Sequence, residues 1–215
     1  MAADTTQRAQ FPGEEIANSI SHGAGFLLSV VAAPFLLLEA VHRGDAAGIA
    51  GAAIFASATI LLYLVSTIYH ALPRNRAKSV FRALDHAAIF LMIAGTYTPF
   101  TLGVLRGAWG WTLLGLVWSI AFAGIALTAF GGVRFPKASM ALYLSMGWLV
   151  IAAAKPLWQR MPPGGLLLLA AGGLAYTAGA AFYAAKRLRY GHFVWHLFVI
   201  AGTAFHFAAV LGYAA

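Results

Sequence analysis

Apolar residues fall in runs of about 20, the length an α-helix needs to cross a hydrocarbon core of about 30 Å. Short polar interruptions separate these runs. The pattern predicts seven membrane-spanning helices. The first covers Ile20 to Val41 and ends at His42-Arg43-Gly44-Asp45, and the second covers Ala47 to Leu72 before Pro73-Arg74-Asn75-Arg76. The third covers Leu84 to Leu105. The fourth carries Trp109 and Trp111 as interfacial anchors and reaches Phe130 before Gly131-Gly132. A fifth, Ala138 to Ala154, ends at Lys155-Pro156. The sixth, Gly164 to Ala185, follows Pro162-Pro163, and the seventh runs from Gly191 nearly to Ala215. Small residues recur inside the spans, as at Gly172-Gly173 and Gly179-Ala180-Ala181, which suits close helix packing in lipid. With no internal repeat and no appended soluble domain, residues 1–215 read as one all-α seven-helix membrane domain. Residues 1–19 are its N-terminal segment.

Composition agrees. The AVILMFWYC set makes up 61% of the chain and charged residues only 9%, against about 25% charged in a soluble domain. So few charges cannot wet a water-facing globule, which argues against a soluble enzyme, a disordered tail or a cytosolic scaffold. The net charge of +8 does not indicate nucleic acid, because the Lys and Arg residues are scattered between apolar runs rather than gathered on one face. They report orientation instead. With seven spans, ten Lys and Arg share the N-terminal side and four the opposite side. The positive-inside rule therefore predicts a cytoplasmic N-terminus, an outer C-terminus and a cell inner membrane location. Cysteine is absent, which leaves no disulfide, thiolate metal site or cysteine nucleophile. The first fifteen residues lack the order of a cleavable signal peptide, so the first apolar run reads as a retained helix.

Against this background the ionisable residues in the spans mark function. His22, His70, His86, His192 and His196, with Asp85, come from four helices and collect in one leaflet. His42 lies at the other face, and His206 lies ten residues beyond His196, about 15 Å deeper. His192 and His196 stand at i,i+4 and leave one helix face about 6 Å apart, the geometry of helical zinc pairs. His70 from another helix makes three nitrogen ligands, and three ligands with an open position is the catalytic zinc pattern. Zinc suits imidazole better than calcium or magnesium does. Ser66, one turn before His70, points toward the same site and would bind a substrate oxygen or the attacking water. Asp85 would orient a ligand histidine or take a proton from that water. Zinc lowers the pKa of bound water to about 7, so hydrolysis of an amide or ester follows. Plainer readings stand beside these. His42 and His86 suit interfacial hydrogen bonding, and His206 suits packing or a bond to a neighbouring helix. Ser66 suits helix packing, and Glu14 and Glu15 a helix N-terminal charge pair.

The same residues resemble the hemolysin III proteins, bacterial members of the progestin and adipoQ receptor family. Glu15-Ile-Ala-Asn18-Ser-Ile-Ser-His22 is similar to the family's first motif, Ser66-Thr-Ile-Tyr-His70 with Leu84-Asp85 to the second, and His192-Phe-Val-Trp-His196 to the third. Ala94-Gly95-Thr96-Tyr97-Thr98-Pro99-Phe100 resembles the bacterial branch. His86-Ala87 depart from the aromatic and small polar residues usual in the receptors. The resemblance implies a seven-helix bundle with an intracellular N-terminus and a zinc ion on His70, His192 and His196, with Ser66 and Asp85 nearby. Ceramide hydrolases in the wider superfamily imply a lipid amidase, with membrane lipids as partners. Four functions remain open at this level. They are a lipid hydrolase, a membrane-fluidity sensor with structural zinc, an ion or proton pathway, for which only His206 and Glu39 lie away from the cluster, and a cytolysin. The last finds no amphipathic pore-forming strand in the sequence.

Overall fold

A computed structural model describes residues 10–132, 136–185 and 187–214. It is all-helical, with seven helices long and apolar enough to cross a membrane. The helices are α1 (Pro12–His42), α2 (Ala46–Ala71), α3 (Arg76–Leu102) and α4 (Ala108–Gly131). They are followed by α5 (Pro136–Trp148), a 3-10 segment (Leu149–Ala153), α6 (Ala154–Arg160), α7 (Pro163–Ala184) and α8 (Gly191–Tyr213). The fifth crossing is the composite of α5, the 3-10 segment and α6.

Two helices begin eight residues before the apolar run that announced them. Pro12 occupies the first turn of α1, where a missing N–H costs nothing, and the Glu14 carboxylate accepts the Phe11 N–H at 2.9 Å. Asn75 caps α3 through its side-chain oxygen, which accepts the Lys78 N–H at 2.9 Å. Polar first turns hid both starts from a hydropathy reading, and they place Glu15, Asn18 and Lys78 on regular helix rather than in loops.

The fifth span also differs from expectation, continuing through Pro156 to Arg160 instead of ending at Lys155. The preceding 3-10 segment interrupts the ladder, so Pro156 falls in the first turn of α6 and removes an N–H that would lack an intrahelical acceptor. In lipid the interrupted backbone needs partners. The Tyr97 hydroxyl supplies them, lying 3.0 Å from the Met146 carbonyl and 2.9 Å from that of Gly147, and accepting the Val150 N–H at 2.7 Å.

The helices pack in the order α4, α3, α2, α1, α8, α7, while α5 touches α3, α4 and α7 only lightly. Approach between α2 and α3 is close enough to need glycine. A Cβ on Gly51 would come within 2.6 Å of the Pro99 backbone, and one on Gly95 within 2.7 Å of the Ala58 methyl. The outer surface is apolar: Leu27, Leu28, Val31 and Phe35 of α1 are each 64% exposed, which fits a lipid-facing stripe. Loose packing around α5 leaves a cavity of about 140 Å³ between α1, α2, α3, α5, α7 and α8.

Candidate metal centre

His22, His86, His192 and His196 line the cavity. His70 closes α2, while His192 and His196 lie on the first two turns of α8, and one ring nitrogen from each lies within 4.8 Å of the others. The i,i+4 pair and the histidine of the second helix thus meet as their spacing predicts. The His70 and His192 rings are 5.0 Å apart, as are those of His70 and His196.

Hydrogen bonds around the cluster decide which nitrogens are bare. His70 Nδ1 donates to Glu15 Oε2 at 2.7 Å, because an ionised carboxylate only accepts. His70 Nε2 is left buried and without a partner. His196 Nδ1 lies 3.2 Å from the Asn18 carbonyl, which also only accepts, and 3.1 Å from Ser21 Oγ, whose own proton goes to that carbonyl at 2.9 Å. His196 therefore carries its proton on Nδ1 and leaves Nε2 as a lone pair. His192 Nε2 is likewise buried and unpartnered. Orphaned imidazole nitrogens converging in a buried site are costly unless something accepts their lone pairs. A metal held by histidines whose other nitrogen is fixed by a carboxylate or carbonyl meets that requirement. The residues present fit a borderline-soft divalent ion such as zinc.

Glu15 holds more than His70. Its other oxygen takes an ion pair from Lys78 Nζ at 3.1 Å, and Lys78 also donates to the last-turn carbonyls of Tyr69 and Leu72. Glu14 accepts the Tyr190 N–H at 2.8 Å, fixing the left-handed residue (φ 56°) that precedes α8 and so the approach to His192. The two glutamates are thus not a simple helix-terminal charge pair. Each reaches across to a different element of the centre.

Ser66 behaves unlike the other hydroxyls of the spans. Thr59, Thr67, Thr96, Thr98, Thr128 and Thr203 each bond the carbonyl four residues back. Ser66 is 1% exposed, its Oγ has no partner, and it lines the cavity. Asp85 and His86 line the same wall from α3. His22 lies flat against His196, with ring centroids 3.5 Å apart and planes within 8°. Both its nitrogens are buried and unpartnered. His42 is exposed at the opposite end of α1, and Glu39 beside it pairs with Arg43 at 2.9 Å.

The haemolysin-III related family model matches residues 12–207, nearly the whole described chain. The chain belongs to that family. Among haemolysin-III relatives it is 44% identical to Hemolysin-3 of Bacillus cereus over 99% of this chain and 97% of that one. It is 46% identical to the Hemolysin-3 homolog of Bacillus subtilis (strain 168) over 93% and 94%. A more distant likeness, 26% identical over 74% of this chain and 68% of the other, joins this haemolysin-III chain to the human monocyte to macrophage differentiation factor. No solved structure matches the chain.

Sequence reasoning singled out the three histidines, Ser66 and Asp85; the structure gathers His70, His192 and His196, and Ser66 and Asp85 line the same cavity as His192 and His196. It missed Lys78, counted only as an orientation charge. It also missed Glu15 as the partner of His70, a place it had allowed to Asp85. The first-motif spacing of Glu15, Asn18 and His22 was the available signal: positions i, i+3 and i+7 lie along one helix face.

Proposed function

We propose that this haemolysin-III chain is a membrane-embedded zinc hydrolase acting on a lipid amide or ester. Its centre would lie near the cytoplasmic leaflet of the cell membrane. One observation carries the reading: bare histidine nitrogens, an unengaged serine hydroxyl and a carboxylate line one largely apolar cavity. A structural brace needs the nitrogens alone. Reaction also needs a group to hold a carbonyl and a group to move a proton, and Ser66 and Asp85 on the wall of the same cavity are suited to both.

His70, His192 and His196 would hold the ion, with Glu15 fixing the ring of His70 and Asn18 and Ser21 that of His196. Bound zinc would supply Lewis acidity and a water of pKa about 7. Ser66 donates its free hydroxyl to the substrate carbonyl oxygen. Asp85 accepts a proton from the attacking water and returns it to the leaving amine or alcohol. The apolar remainder of the cavity excludes bulk water and takes the acyl chain.

Two measurements test this. Purified protein is expected to contain one zinc per chain by elemental analysis, and His192→Ala to lose it. A ceramide analogue incubated with wild type and with Asp85→Ala is expected to turn over only with the former. Absent zinc, or equal background turnover in both proteins, would overturn the enzymatic reading.

A further inference from the structure

The cavity does not end in hydrocarbon. At its deep end stands His206 of α8, ten residues beyond His196 and so about 15 Å along the helix. Its Nε2 lies 3.2 Å from the Leu169 carbonyl on α7. A carbonyl only accepts, so Nε2 carries the proton and Nδ1 is a bare acceptor. That Nδ1 is buried and has no partner.

Its neighbours cannot supply one. The Tyr176 hydroxyl pairs with Thr203 Oγ1 at 2.9 Å, and Tyr63 donates to the same oxygen at 2.8 Å. Thr177 donates to the Gly173 carbonyl and receives the Trp148 indole N–H. Tyr97 is engaged at the 3-10 segment, and Thr96 bonds Met92. Gly172 opposes the imidazole where any Cβ would collide with it, so the backbone of α7 is shaped to admit this ring. A buried water needs two to four polar partners, whereas His206 Nδ1 is the one unpartnered side-chain atom at this end among the described residues. A hydroxyl tethered to a chain already lying in the cavity needs only the one.

We infer that the deep end of the cavity recognises a hydrogen-bond donor on the ligand. The donor is a hydroxyl carried on the hydrocarbon about twelve carbons from the polar group held at the histidines. The length follows from bonds of about 1.5 Å at about 111°, which advance an extended chain about 1.25 Å per carbon. The preferred ligand is then an acyl lipid hydroxylated far from its head, not a plain saturated one. This rests on the lipid reading of the cavity given above.

The test uses the full chain in nanodiscs with radiolabelled dodecanoic acid as the probe. Unlabelled dodecanoic acid, its α-hydroxy derivative and its ω-hydroxy derivative compete. The ω-hydroxy acid is expected to displace the label at roughly fivefold lower concentration than either of the others. In His206→Phe the ring's shape is kept while both nitrogens, and with them the acceptor, are gone. There the preference is expected to vanish, with dodecanoic acid affinity and metal content unchanged. Equal competition by all three acids in the wild type, or a preference that survives in His206→Phe, would overturn the hydroxyl site and leave the lipid cavity standing. Failure of every acid to bind would overturn both. The wild-type comparison decides the matter even if the variant does not fold.

Discussion

Glu15 links two helices and a lysine to one imidazole, and its charge does different work from its shape. Glutamine at this position keeps the volume and one acceptor but weakens the hold on both the His70 N–H and the Lys78 ammonium. Partners of this kind raise the basicity of a ligand histidine, and losing one typically costs 10–100-fold in metal affinity. Glu15→Gln is therefore expected to bind zinc about 10-fold to 100-fold more weakly in a chelator competition, with the helical content by circular dichroism unchanged. Ser66→Ala separates holding the metal from using it. The hydroxyl has no partner in the protein, so its removal is expected to leave metal content and thermal stability within about 0.5 kcal/mol. Turnover of a lipid amide should fall by at least tenfold, about 1.4 kcal/mol of transition-state stabilisation. At this scale the site was half legible. Histidines stand out in a chain with 9% charged residues, because each ionisable group in an apolar run demands a reason. The bond from Glu15 to His70 joins residues 55 positions apart, and no local pattern specifies which of several nearby carboxylates closes it.

Among the helices, the composite fifth crossing depends on a residue from another element. Tyr97 of α3 faces two carbonyls and one N–H of the 3-10 region with a single hydroxyl. Tyr97→Phe leaves those groups without that partner in a buried setting, where each unsatisfied group costs about 1–3 kcal/mol. The variant is expected to lose about 2 kcal/mol or more in detergent unfolding. Hydrogen exchange should quicken at Val150 while α2 stays protected. Equal stability of variant and wild type would mean that water serves the break equally well. Hydropathy located all seven crossings because 20-residue apolar runs have few alternatives in water or lipid. It misplaced the starts of α1 and α3, since Glu14, Glu15, Asn18 and Lys78 make those first turns look like loops. It ended the fifth crossing at Pro156 because proline breaks a continuous helix. A preceding 3-10 turn removes that objection, and nothing in the local sequence announces the Tyr97 hydroxyl that makes the turn tolerable.

For the whole molecule, the remaining question is which face of the membrane the centre occupies. The start of α1, the end of α2, the start of α3 and the start of α8 meet at the metal end of the bundle. At the other end Arg43 donates to the Leu211 carbonyl, Arg160 donates to that of Arg106, and Arg106 pairs with Asp45. The loops at the metal end hold most of the Lys and Arg residues, and the positive-inside rule leads one to expect such loops on the cytoplasmic side. The chain lacks cysteine, so a single introduced thiol reports its own side without any background. Arg74→Cys, in the exposed turn after α2, and Gln159→Cys, on the exposed end of α6, sit at opposite ends of the bundle. In intact cells a membrane-impermeant maleimide is expected to label Gln159→Cys and to reach Arg74→Cys only after lysis. The reverse pattern would put the histidines at the outer leaflet. Their metal and any lipid would then come from the cell surface, and a substrate drawn from the inner leaflet would no longer fit.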